Sequence, residues 1–286
     1  MIKVDFHHHI NTDPLDSHYV KYPIQDLICS AKASGLDAIA ITCHESVPYD
    51  FKFAFDYAKS RDLLLLHGME ATVDGKHLLL INFDEYPKGV CSLSDVRYAK
   101  ESSRKPLVIS PHPFYPVGIA GADLLIDGAD IIDAVEFSGL YTSMTPIFNK
   151  RALNFAKSAS IPVVGNTDTH FLWQLGRTYT ELPISSLSTD NILDSVASGI
   201  GTLKTSPLSW KHIIKFVHEA GGTPAFLQDC LSYMTNILKR TKIKSTMDRN
   251  FAFALQISSL CFNTIAKIFR SDNCFDSISF LVVVVL

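Results

Sequence analysis

The chain has 286 residues, 47% of them hydrophobic and 19% charged, which excludes a disordered polypeptide and predicts one domain of about 200 residues with an appendage. The net charge of −3 is unevenly placed: residues 1–203 carry 16 Lys and Arg against 24 Asp and Glu, and residues 204–286 carry 10 against 5. An acidic first part suits a cation site, while a basic tail fits either a solvated helix face or contact with phosphate.

Residues 1–9 do not read as a secretory leader, because Lys3 and Asp5 interrupt the apolar stretch and His7 follows at once. The apolar run at 280–286 is far too short to cross a bilayer. Six cysteines, at 29, 43, 91, 230, 261 and 274, form no C-x-x-C pair and fit reduced thiols. The expected compartment is therefore the cytoplasm, with no membrane partner.

Short β-rich runs alternate with helical stretches through the first two hundred residues. Strands are predicted at 2–6, 37–42, 63–67, 77–83, 107–110, 132–137 and 162–165, mostly as continuous apolar runs of the kind covered on both faces. Helices are predicted at 24–34, 51–60, 94–102 and 146–158, and Gly35 sits where the first would be capped. Strand–helix–strand repetition implies parallel strands with right-handed crossovers, and seven of them suggest a barrel. An open doubly wound sheet is the competitor, but no G-x-G-x-x-G follows the first strand. From about residue 190 the pattern turns helical, at 189–197 and 209–219, and two further helical stretches are expected beyond the break at 221–224. The expected division is a barrel over 1–203 and a helical cap over 204–286.

The histidines carry the functional signal. Nine of eleven lie before residue 171, most of them directly after a predicted strand. Asp5-Phe6-His7-His8-His9 ends the first, Thr42-Cys43-His44 the second and Gly68-Met69-Glu70 the third. Pro111-His112-Pro113 follows the fifth, Glu136 ends the sixth, and Asp168-Thr169-His170 follows the seventh. In a parallel barrel all these ends share one rim, where active sites are built. A lone histidine beside a strand is more often a core residue, but His7 and His9 share a face at i and i+2, as do Asp168 and His170. His8 then faces the other way. His77 is the exception, since it opens its strand; that strand either begins earlier or runs antiparallel.

These residues, in this order, resemble the PHP (polymerase and histidinol phosphatase) superfamily, in particular stand-alone metal-dependent phosphoesterases with a PHP-associated C-terminal segment. The resemblance covers about residues 1–183 and extends to Leu175-Gly176-Arg177-x-Tyr179-Thr180. It implies a distorted seven-stranded (β/α)7 TIM-like barrel bearing two or three divalent metals. His7, His9, Glu70 and Asp168 would hold one metal, with Glu70 bridging to a second completed by His77 and His112. His44 and His170 would hold a third, with a ligand from the loop after His9. That loop departs from the family pattern, offering Asp13, Asp16 and His18 at spacings that do not quite match, and Cys43 stands where the family places Asp.

Imidazole and carboxylate ligands without thiolates suit zinc, manganese or iron. Two metals about 3.5–4 Å apart would clamp a phosphoryl group and lower the pKa of a bridging water. The expected activity is hydrolysis of a phosphate ester, with Glu70 and Asp168 in the catalytic centre. Arg177 is expected either to bind the substrate phosphate or to form a structural salt bridge. Glu136 is expected either to orient a ligand histidine or to bond backbone. The substrate would be a small phosphorylated compound, a nucleotide or a short RNA. The alternatives are an exonuclease or nucleotide phosphatase, and a non-catalytic metal-bound module. Amide or C–N hydrolysis on a similar barrel stands behind these, because no lysine ends a predicted strand.

Overall fold

The computed structural model describes residues 1–219 apart from 48–49, 89–90, 116–117 and 144–145. Contacts divide the chain into two units, 1–208 and 209–286. Of the second, only the part up to residue 219 is described; it contains helix α7 (Trp210–Glu219), and the helices expected beyond 220 lie outside the described residues.

In the first unit the elements run β1 (Ile2–Asp5), α1 (Ile24–Ala33), β2 (Ala38–Ile41), α2 (Phe51–Lys59), β3 (Leu64–Val73), β4 (Lys76–Ile81), α3 (Leu93–Ser102) and β5 (Leu107–Ser110). There follow α4 (Leu124–Asp127), β6 (Ala134–Ser138), α5 (Ile147–Ala159), β7 (Val163–Asn166), β8 (Thr178–Leu182), α6 (Thr189–Ala197) and β9 (Thr202–Thr205). The strands form one sheet in the order β7-β6-β5-β4-β3-β2-β1-β8-β9. Each of the seven expected strands is present, but the sheet has nine strands and is mixed, in place of the distorted seven-stranded (β/α)7 barrel expected.

Two local features explain the departure. Asp74 and Gly75 both adopt positive φ, 48° and 75°, and join β3 to β4 in a two-residue hairpin. β4 is therefore antiparallel to both neighbours, β3 and β5. An antiparallel strand begins at the rim where the parallel strands end, which accounts for His77 opening its strand. Second, Thr178, Thr180 and Leu182 are buried while Tyr179 and Glu181 are half-buried, a period-2 alternation that forms β8 antiparallel to β1 and β9.

The sheet nearly closes on itself. Beyond β1, His9 N–H donates to Thr169 O (3.2 Å) and Thr169 N–H to His7 O (3.1 Å), tying the first strand to the segment after the last parallel one. Lower down, Gly165 N–H donates to Thr180 Oγ1 at 2.8 Å. A side chain at Gly165 would meet Leu203 Cδ1 at 2.4 Å and Tyr179 O at 2.9 Å, so only glycine permits this approach. The interior is filled from β1 to β7 by Val4, Ala40, Leu66, Leu79, Ile109, Ala134 and Val164, with α6 adding Ile192 and Val196. Two further apolar clusters lie beneath the helices. This packing seals the barrel body and leaves the polar side chains at one mouth.

Candidate metal centre

His7, His9, Glu70, His77, His112, Asp168 and His170 are all buried, with His44 at 7% exposure and Asp16 at 5%. Four donor atoms, His7 Nε2, His9 Nε2, Glu70 Oε2 and Asp168 Oδ1, form one compact set. Five of the separations among them run from 3.1 to 3.4 Å. Donor atoms at about 2.0–2.1 Å from a common centre stand about 3.3–3.4 Å apart, so His7, His9 and Asp168 have the spacing of ligands around one cation, with Glu70 Oε2 beside both imidazoles. Glu70 extends to a second set through its other oxygen, with His77 Nδ1 at 2.7 Å and His112 Nε2 at 3.4 Å from Oε1. The register that pairs Thr72 with His77 sets His77 diagonally across the hairpin from Glu70.

Behind the donors stands a layer of hydrogen bonds that fixes which nitrogen faces inward. His7 Nδ1 donates to Glu136 Oε2 (2.9 Å) and His9 Nδ1 to Asp13 Oδ2 (2.7 Å), so each ring turns its Nε2 to the mouth. Glu136 is fully buried and also accepts from Asn166 Nδ2 (3.0 Å) and His112 N–H (3.2 Å). Asp5 accepts Thr167 N–H and the Thr167 hydroxyl, the latter at 2.5 Å, and so locks β1 to the segment carrying Asp168. Asp168 itself takes a left-handed backbone, φ 52°, and His112 has φ 30°, strain of the kind that persists where surrounding contacts impose it.

The electrostatics call for added positive charge. Burial opposes protonation of His7, yet Asp168, Glu70 and Glu136 outweigh it and raise its pKa well above the ordinary imidazole value. For His9 burial is likewise overcome, by Asp13, Asp168 and Glu70. Burial raises the carboxyls, but the surrounding imidazoles prevail: Glu70 and Asp168 fall well below the carboxylate range, and Asp16 falls to about 2. Buried carboxylates of this kind need cations or protons beside them. Asp168 Oδ2 has no hydrogen-bond partner among the described residues, a buried acceptor suited to a cation. The all-nitrogen-and-oxygen donor set fits divalent zinc, manganese or iron.

Other expected residues lie elsewhere. His8 faces away from the donors, with Nδ1 donating to Ala40 O at 2.8 Å and Nε2 3.3 Å from Asp5. His18 is exposed and donates to Leu15 O (2.9 Å), because the turn after Asp16 buries Asp16, Tyr19 and Val20 and leaves 17 and 18 outside. From that loop Asp13 and Asp16 reach the mouth instead. The Asp13-Pro14 step carries the turn signal for this, with Asp13 Oδ1 accepting Leu15 N–H (2.9 Å) and Asp16 N–H (3.0 Å). Arg177 is half-buried and donates to Pro207 O at 2.6 Å, which fastens the start of β8 to the segment after β9. His67, outside the donor set, bonds the Tyr86 hydroxyl at 2.8 Å. Cys43 packs in the apolar cluster beneath α1 and α2.

A nearly closed mixed barrel with imidazoles and carboxylates pooled at one mouth defines an α/β-barrel protein with a candidate polynuclear metal centre. Residues 146–199 match the family model described as PHP-associated. No curated protein matches the sequence. Among solved structures, PsfC from Pseudomonas syringae PB-5123 superposes with a TM-score of 0.58 at 16% identity, covering 77% of this chain and 98% of that one. An amidohydrolase from Chromobacterium violaceum with bound sulfate and no metal gives 0.51 at 14% identity, covering 68% and 96%. A Bifidobacterium adolescentis protein provisionally named a metal-dependent phosphoesterase gives 0.48 at 15%, covering 69% and 96%. At these identities the superpositions on the first two show likeness of fold alone.

Proposed function

We propose that this chain is a metal-dependent hydrolase that cleaves a phosphate ester. The observation that carries the reading is Glu70, whose two oxygens each face a separate set of imidazoles: His7, His9 and His44 on one side, His77 and His112 on the other. A carboxylate so placed can bridge two neighbouring cations. Divalent metals bound there would neutralise phosphoryl oxygens and supply a nucleophilic water at neutral pH.

The protein's own residues do the rest. Glu136 and Asp13 hold His7 and His9 in the tautomer that presents Nε2, and Asp5 and Thr167 keep Asp168 on the same rim. The buried carboxylates favour bound cations and disfavour a bare phosphate, so substrate affinity depends on metal loading. The substrate class we favour is a small phosphorylated compound, a nucleotide or a short RNA. Among the described residues no helix is long and apolar enough to cross a membrane, and the chemistry proposed needs none.

The test is hydrolysis of p-nitrophenyl phosphate by chelator-treated protein with zinc or manganese restored. Turnover that appears with metal and vanishes in Glu70→Ala supports the reading. Tight metal binding without turnover on this ester or on a nucleotide panel would show a non-catalytic module instead.

A further inference from the structure

We infer that Tyr19 and Tyr22, two tyrosines of the loop after His9, are positioning residues that hold the Asp168-Thr169-His170 arm of the centre in place. The inference rests on the metal-centre reading above and deepens it by naming what fixes one arm.

The loop is closed at its base, where Asn11 N–H donates to Tyr22 O at 3.0 Å. Between those residues the chain folds on itself. Ser17 N–H donates to Asp13 O (3.1 Å), and Asp16 O accepts N–H from both Tyr19 (3.0 Å) and Val20 (2.8 Å). Compact loops with adjoining ends, packed by their own side chains, are frequently functional. This one buries Asp13, Asp16 and Tyr19 and leaves Leu15 and His18 outside.

The arm it meets needs support. Asp168 holds a left-handed backbone, which lasts only where neighbours impose it. The next residue supplies the anchor: Thr169 O accepts both His9 N–H (3.2 Å) and the Tyr22 hydroxyl (2.9 Å). A carbonyl oxygen has two lone pairs, and both are used here. The Tyr22 ring packs against the apolar cluster that contains Ile10, Leu27 and Cys43, so its hydroxyl reaches Thr169 from a fixed seat.

One residue further, the His170 ring stacks on two others, His9 at 4.5 Å between centroids and Tyr19 at 5.3 Å, each tilted by 24°. Its Nε2 meets Asp16 Oδ2 at 2.9 Å. Stacking sets the plane of the imidazole, and the hydrogen bond sets its direction within that plane. Tyr19 bears on both partners, with its ring against His170 and its hydroxyl toward Asp16. Burial first, and then nearby acidic groups, raise both phenols well above their ordinary values. At neutral pH each is a protonated donor and no rival to the imidazoles for a cation. The two tyrosines therefore act through Asp16, Thr169 and His170.

The experiment uses the full chain, stripped with chelator, in unaltered form and as Tyr22→Phe, Tyr19→Phe and Tyr19→Leu. Zinc affinity is measured by chelator competition, the visible spectrum is recorded with cobalt(II) in place of zinc, and the metal-free protein is melted to verify folding. Tyr22→Phe keeps its ring in the apolar seat and removes only the hydroxyl, and Tyr19→Phe keeps the stack on His170. We expect Tyr22→Phe and Tyr19→Leu to weaken zinc by about 10–100-fold and to shift the cobalt spectrum, with Tyr19→Phe affected less than Tyr19→Leu. A lowered melt with zinc affinity within twofold and an unchanged cobalt spectrum would overturn the assignment for the residue concerned, leaving it a structural support of the loop. Should Tyr19→Leu fail to fold, an unchanged affinity and spectrum in Tyr19→Phe overturns the assignment for Tyr19. No tight metal in the folded unaltered chain would overturn the metal-centre reading itself, a different failure from that of the tyrosines.

Discussion

Glu136→Gln is the most informative single change, because Glu136 touches two donor residues and a strand partner at once. Its carboxylate is fully buried and accepts three hydrogen bonds, from His7 Nδ1, Asn166 Nδ2 and His112 N–H. A glutamine has one acceptor oxygen. With that oxygen at the Oε2 position the bonds to His7 and Asn166 survive, but the amide NH2 then opposes His112 N–H. One buried donor loses its partner, at a cost of about 1–3 kcal/mol. The reversed orientation loses two bonds and costs more. For a unit of about 200 residues this lowers the melting temperature by about 2–12 °C. Loss of the charge behind His7 should also weaken metal binding by about 10–100-fold. The assay is a thermal melt of metal-free protein together with chelator competition for zinc. An unchanged melt and an affinity within twofold of the original would refute the argument that Glu136 orients His7. Glu136→Ala is less useful, because losing all three bonds approaches the whole stability of a domain, about 5–15 kcal/mol.

The other expectations concern single contacts. His7→Ala should remove bound metal, whereas His8→Ala should keep it and only destabilise the fold by about 1–3 kcal/mol through the lost bond to Ala40; equal metal loss by elemental analysis would show that the two rings share a face. Gly165→Ala forces its side chain to within 2.4 Å of Leu203 and should cost about 1–3 kcal/mol by overpacking, so an unchanged melt would mean that the sheet does not close there. Arg177→Ala should lower stability by about 1 kcal/mol with an unchanged KM for p-nitrophenyl phosphate, given its bond to Pro207; a raised KM with unchanged stability would return it to the substrate.

Much of this was legible beforehand. The seven apolar runs and the four intervening helices stand out because burial on both faces demands continuous apolar strands, and amphipathic helices repeat at 3.6 residues. Parallel strands share one rim, so the positions of His7, His44, Glu70, His112 and Asp168 at strand ends already implied a common mouth. The course of the strand that His77 opens was left between an earlier start and an antiparallel run, and the two-residue hairpin at Asp74-Gly75 decides for the second, bringing His77 to that mouth.

Tertiary structure alone decided the rest. Val4 and Phe6 both point into the barrel, so strict alternation would send His8 inward; β1 ends at Asp5, and the irregular step before His8 turns His7 and His9 in instead. The selection of Asp13 and Asp16 over His18 depends on one tight turn, and the fate of Arg177 on where the segment after β9 passes. Each of these is a contact between residues distant in the chain or a local backbone rotation. Composition and periodicity report how much surface is buried, and they are blind to which side a short loop presents.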